Sequence, residues 1–204
     1  MEHGRYAKAI HHFRKLEDYQ DSLYQKAVAE QEILRAAYPG TTVPFGQTDW
    51  IVLDSDGKSA LLLQKEIIPE AHPYHKKADR PDWKTSGARI WLNETYRAEA
   101  FSAVEQGLLL PQPAAEDDSA VFLLSVDEAE KYGKYLAPEE PTSAKGRKKK
   151  DVPQRENWWL RTPGTARNAV AFVSPDGKVM PFGYLPDSTE IFLRPAIRVS
   201  LIRF

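Results

Sequence analysis

The sequence predicts an α+β fold, with an N-terminal helical hairpin ahead of a domain built mainly from short strands. Three observations predict it. Apolar residues recur at helical spacing from Arg5 to about Tyr38. After Pro39 the pattern changes to short apolar runs separated by Asp-Gly turns. The adjacent tryptophans Trp158 and Trp159 open a segment that closes on Pro163-Gly164, as a strand meeting a turn would read.

The hairpin comes first in order. Tyr6, Ala9, Ile10, Phe13 and Leu16 line one helical face, and a break follows at Asp18-Tyr19-Gln20-Asp21-Ser22. Leu23, Ala27, Val28 and Ile33-Leu34 resume the pattern, with Asp21 or Ser22 as the expected N-cap and Pro39-Gly40 as the stop. The segment from Gly4 to Ser22 resembles a short tetratricopeptide-like repeat of bacterial multidomain proteins. A single repeat has no neighbour to stack on, so its apolar stripe must pack on the following domain or on another chain. The short connection from Pro39 to Val43 favours packing in cis.

Next come the strands. Trp50-Ile51-Val52-Leu53 and Ala60-Leu61-Leu62-Leu63 flank Asp54-Ser55-Asp56-Gly57, a hairpin signal because Gly accepts positive φ. Ala169 to Val173 and Lys178 to Met180 flank Ser174-Pro175-Asp176-Gly177 in the same style. Between these hairpins, Arg89 to Asn93 and Ala100 to Val104 read as helices, and Val121 to Leu124 as a buried strand. Asp127 to Tyr132 begins another helix with Ser125 as cap. A last strand, Ala196 to Ile202, is expected to lock the C-terminal segment into a sheet. Neighbours on a strand face opposite ways, so Trp158 and Trp159 serve different environments. Trp50, Trp91 and one of that pair are expected in the core.

Composition narrows the function classes. The chain has 204 residues, 42% hydrophobic and 28% charged, with a formal net charge of -1. That charge leaves no overall basic excess for a general polyanion binder. No apolar run approaches the roughly 20 residues needed to span a bilayer, so no membrane partner is expected. Met1 to Phe13 mixes charges and histidines with apolar residues and lacks a continuous signal-peptide core. The absence of cysteine excludes disulfides, thiolate metal sites and cysteine nucleophiles, and fits a cytoplasmic location.

Several segments follow one another in a recognisable order: Phe45-Gly46, Trp50 to Leu53, Trp83, Arg89, Trp91-Leu92-Asn93, Ala100-Phe101-Ser102 and Val121 to Ser125. They lead to Trp158-Trp159-Leu160-Arg161-Thr162-Pro163-Gly164 and Leu193-Arg194-Pro195-Ala196. From about Val43 to Leu201 the chain resembles a bacterial family of uncharacterised domains. The hallmarks of that family are Trp-Trp-Leu-Arg-Ser-Pro-Gly and a terminal Val-Arg-Pro-Ala-Leu. Thr162 stands where the family usually has Ser, and Phe192-Leu193 where it often has Gly-Val. The family is similar to C-type-lectin-like domains, which include formylglycine-generating enzymes and the variable receptors of diversity-generating retroelements. The helical spacing places the hairpin over residues 1–38, and the resemblance implies a C-type-lectin-like domain over 43–204. Analogy at this level carries architecture and not function.

The residues also bear on chemistry. Formylglycine-generating relatives use paired cysteines, which this chain lacks. Related iron oxygenases use histidines, and the chain offers His3, His11, His12, His72 and His75. His72-Pro73-Tyr74-His75 is close-spaced, but two ligands without an evident third do not make a site. Calcium-dependent lectins of this fold resemble one another in Glu-Pro-Asn or Gln-Pro-Asp loops followed by Trp-Asn-Asp, and none occurs here. Asp117-Asp118 reads as a solvated loop. No metal, calcium or other cofactor is expected, and no nucleophile elbow marks a serine hydrolase.

Lys145-Gly146-Arg147-Lys148-Lys149-Lys150 reads as a solvated loop without aromatics for base stacking, so no nucleic acid is expected. Arg161 and Arg194 read as structural anchors, since a buried guanidinium needs oxygen partners. Ligand binding is placed on the late loops, at Arg167, Asn168, Tyr184 and Asp187, where polar groups surround an aromatic. The expected function is a non-enzymatic module that binds an unknown protein, peptide or glycan. The alternatives are a divergent enzyme distantly related to formylglycine-generating-type oxygenases, or a purely structural interaction domain.

Overall fold

The second helix of the expected hairpin is α1, Gln20–Ala36, in the structure, a computed structural model that describes residues 20–76, 79–112, 118–136 and 156–202. Strands β1 (Thr42–Phe45), β2 (Thr48–Ser55) and β3 (Ser59–Gln64) follow. Next come α2 (Gly87–Trp91), a wide π-type turn at Leu92–Tyr96, α3 (Arg97–Ala100) and α4 (Ala103–Gln106). The chain continues through β4 (Leu109–Leu110), β5 (Val121–Phe122) and α5 (Val126–Lys131). It ends with β6 (Asn157–Pro163), β7 (Val170–Val173), β8 (Val179–Tyr184), β9 (Ile191–Phe192) and β10 (Ala196–Ser200). This is a mixed architecture of the α+β kind. The first hairpin helix, Lys145–Lys150 and Asp117 lie outside the described residues.

Two compact units divide the chain. The first comprises Met1–Lys65, Trp91–Phe122 and Ala196–Phe204, and the second Glu66–Ile90 and Leu123–Pro195.

The first unit is a sheet in the order β1-β2-β3-β10-β4, with β5 also paired to β10. Its β2–β3 hairpin turns where Asp56 Oδ1 accepts the N–H groups of Lys58 at 2.8 Å and Ser59 at 2.6 Å. Gly57 beside it takes φ +78°, as the sequence signal requires. Strand β3 is buried at every position, because it lies between β2 and β10. The C-terminal strand is therefore central, although it stops at Ser200 and not Ile202. Above the sheet Phe101 meets Phe45 at 5.7 Å and Trp50 at 5.9 Å between ring centres. The Trp50 indole N–H donates to the Phe45 carbonyl at 2.9 Å.

Three details of this unit differ from expectation. Asp21 and Ser22, expected at the N-cap, lie inside α1, which already includes Gln20. Ala100 to Val104 is not one helix. Phe101 is extended, with φ -133° and ψ 133°, which carries its ring into the aromatic core. Ser102 then starts α4 through a reciprocal capping box with Glu105. Trp91, expected in the core, is only half-buried.

The second unit holds a sheet in the order β8-β7-β6-β9, with β6 and β9 parallel and the other pairs antiparallel. Both tryptophans of β6 are buried, Trp158 at 3% and Trp159 at 0% exposure, where at least one was expected to be. Strand β6 is central in its sheet, and both tryptophans find partners. Trp159 meets Tyr74 at 5.9 Å and Phe172 at 6.5 Å. Arg194 lies over Trp158. The predicted strand Val121–Leu124 is shorter than expected, since only Val121 and Phe122 pair in a sheet. Leu123 and Leu124 instead give their carbonyls to Arg161. Ser125 caps α5 in a capping box with Glu128, as predicted.

Candidate functional site

Strand β8 has one sheet neighbour, β7, and is an edge of its sheet. Met180, Phe182 and Tyr184 lie along it, and its register with β7 shifts between Met180 and Tyr184, where Gly183 takes φ +80°. All three side chains meet water: Met180 is 39% exposed, Phe182 76% and Tyr184 48%, and Leu185 follows at 49%. Four of the eight exposed large apolar side chains among the described residues thus sit within six consecutive positions. Scattered single exposures are ordinary, whereas four this close along one segment mark a candidate contact surface.

The backbone brings polar loops to the same end of the sheet. Val170 pairs with Tyr184, which places the β6–β7 loop beside the end of β8. That loop is closed by Gly164 N–H donating to Ala169 O at 2.7 Å, and tied to β8 by Thr165 N–H donating to Pro181 O at 2.9 Å. Gly164 is needed there, because a Cβ would sit 2.6 Å from the Phe182 carbonyl oxygen. Beyond Tyr184 the chain turns with Ser188 N–H donating to Leu185 O at 3.1 Å, and Pro186 O accepts from His75 N–H at 3.0 Å.

Of the residues picked from sequence, Arg167 and Asn168 are exposed in the β6–β7 loop, and Asp187 is exposed in the turn after β8. Tyr184 stands between the two loops in sequence and register. Met180, Phe182 and Leu185 were missed. An apolar segment such as Val179–Tyr184 reads in sequence as a core strand, and only the folded chain shows these side chains exposed.

Charge is mixed around the patch. Asp176 in the β7–β8 turn is held at about 2 by Lys178 and Ser174, with its carboxylate 2.7 Å from the Lys178 ammonium. Beneath the site, Arg161 Nη1 donates to Leu123 O at 2.7 Å and to Glu128 at 2.5 Å. The Tyr74 hydroxyl donates to the Arg161 carbonyl at 3.1 Å. These buried and part-buried groups fix the scaffold.

His75 of the His72-Pro73-Tyr74-His75 loop accepts the Gly87 N–H on Nδ1 at 3.1 Å. Among the described residues no three histidine or acidic side chains gather into a possible metal set, and no helix is long and apolar enough to cross a membrane.

No curated protein and no solved structure matches the chain. Residues 58–201 match a family described as a domain of unknown function, DUF6273. With most of its length covered by that match, from the β2–β3 turn to the end of β10, the chain belongs to the DUF6273 family.

Proposed function

We propose that the chain is a non-enzymatic binding module that takes a protein, peptide or glycan ligand on the exposed apolar side chains of β8, on a C-type-lectin-like scaffold. One observation carries this reading: Met180, Phe182 and Tyr184 of an edge strand, and Leu185 just after it, are all exposed large apolar side chains within six consecutive positions. Apolar surface gains about 25 cal/mol for each Å² removed from water, so covering such a patch supplies affinity. Arg167, Asn168 and Asp187 at its end supply directional polar contacts. Aromatic rings with a polar rim serve peptides and sugars alike.

The test is a screen of a displayed peptide library and a glycan array with the full chain, followed by Phe182→Ala and Tyr184→Ala. The expected result is a ligand that binds the parent protein and loses at least about tenfold in affinity in each variant, with melting unchanged. A ligand that binds both variants as tightly as the parent would place recognition elsewhere.

A further inference from the structure

Within the first unit, three ionisable side chains meet away from water. Lys26 and Glu30 stand one turn apart on α1, and Glu105 belongs to the capping box of α4. The Lys26 side chain is 3% exposed and both carboxyls are 0% exposed. Its ammonium contacts the Glu105 carboxylate, donates to the Gly46 carbonyl at 3.1 Å and lies 3.2 Å from Glu30 Oε1. The second Glu105 oxygen accepts the Ser102 N–H at 2.7 Å. Glu105 is thus well supplied with donors. Neither Glu30 oxygen receives an aligned hydrogen bond, so its contact with Lys26 is one of charge and proximity.

Two carboxyls and one ammonium cannot all be ionised in a dry site without a net negative charge, and isolated buried charge costs several kcal/mol. One proton must remain, and Glu30 is the group with the fewest donors. We propose that Lys26, Glu30 and Glu105 form a proton-dependent latch that holds α1 in place, keeping one proton on Glu30 while the helix is docked and releasing it to water when the helix leaves. Burial first, and the neighbouring Glu105 second, push the Glu30 carboxyl well above its usual range against the pull of Lys26.

Among the described residues, the other groups near α1 do not compete for this role. Strand β1, Thr42–Phe45, packs against the helix and carries no ionisable side chain. Glu32 and Arg35 lie further along α1, partly exposed, and pair with each other at 2.5 Å.

The sign follows from linkage. A carboxyl whose pKa is raised on docking favours the docked state below the usual carboxylate range. That contribution is lost as pH rises towards the raised value, by up to about tenfold per pH unit for one proton. Glu105 shifts the other way and acts only at more acidic pH, so the window above the usual range belongs to Glu30.

Hydrogen exchange on the full chain tests the latch, with α1 amides compared with those of β3 between about pH 5 and about pH 8. After correction for intrinsic exchange, α1 protection should fall with pH in the parent and in Glu94→Gln, an exposed acid of the same unit. In Glu30→Gln the fall should vanish, leaving α1 better protected at the alkaline end. An equal slope in Glu30→Gln and the parent would overturn the proposal. Should Glu30→Gln not fold, a carbon-13 titration of the Glu30 carboxyl in the parent decides instead. A neutral carboxyl at neutral pH supports the latch, and an ionised one overturns it.

Discussion

The Arg194 guanidinium lies over the Trp158 ring, 5.3 Å from its centre, and its Nη1 donates to the Leu136 carbonyl at 3.0 Å. The arginine of the terminal hallmark segment thus holds the tryptophan of the central one. Burial lowers the Arg194 pKa to about 10, with Glu66 opposing, so the side chain stays charged at neutral pH. A desolvated cation over an indole contributes about 2 kcal/mol, and the hydrogen bond adds about 1 kcal/mol. Arg194→Ala should therefore lose about 2–4 kcal/mol in urea unfolding. Arg194→Lys should recover less than half, because an ammonium cannot lie flat on the ring and donate sideways together. Parent-like unfolding of Arg194→Ala would contradict the stacking role.

Gly46 and Gly57 both take positive φ, +63° and +78°, yet only one is crowded. A Cβ at Gly46 would lie 2.5 Å from the Ala100 carbonyl oxygen, while at Gly57 nothing lies within 4 Å. Gly57→Ala should cost about 1 kcal/mol, the strain of the left-handed backbone alone. Gly46→Ala adds a backbone collision and should cost at least about 3 kcal/mol. Thermal unfolding of the two variants separates the terms, and equal losses would remove the collision from the account.

Local signals in the sequence were readable where one segment determines its own shape. Asp56-Gly57 and Asp176-Gly177 turn between paired strands, and Ser125 caps its helix. The tryptophan pair serves two environments, Arg194 on one ring and Tyr74 with Phe172 on the other. What could not be read depends on partners far along the chain. Phe101 leaves the helical path because its ring is wanted among Phe45, Trp50 and Tyr96. Met180 and Phe182 look like core residues in sequence, because nothing local shows that no other element covers them. The Lys26–Glu105 contact spans 79 residues, and no spacing rule reaches that far.

Acid should weaken the first unit through Glu105. Burial pushes this carboxyl up, but Lys26, Glu30 and the Ser102 N–H outweigh it, so it is held below its usual range. A lowered carboxyl contributes stability above the usual range, and that stability is lost as pH falls through the lowered value. The parent should therefore lose stability on acidification below about pH 4.5. Glu105→Gln should be less stable at neutral pH and show a shallower acid limb. Acid limbs of identical slope would exclude Glu105 as their source.

Deleting residues 1–38 should destabilise what remains. Helix α1 buries Ala27 and Leu34 completely. Its Gln31 donates to the carbonyls of Ser200 at 2.9 Å and Ile202 at 2.7 Å. Arg35 donates to the Leu201 carbonyl at 2.8 Å and 2.7 Å through two nitrogens. Removing the helix uncovers apolar surface and strips donors from the last residues of the central strand. Each lost hydrogen bond costs about 0.5–1.5 kcal/mol, and each uncovered large side chain about 1.5–3 kcal/mol. The shortened chain should unfold at lower temperature by at least about 5 °C, with exchange rising first at the end of β10. Sedimentation of both chains decides whether the helix acts in cis: an equally stable shortened monomer from a dimeric parent would mean that its apolar face serves another chain instead.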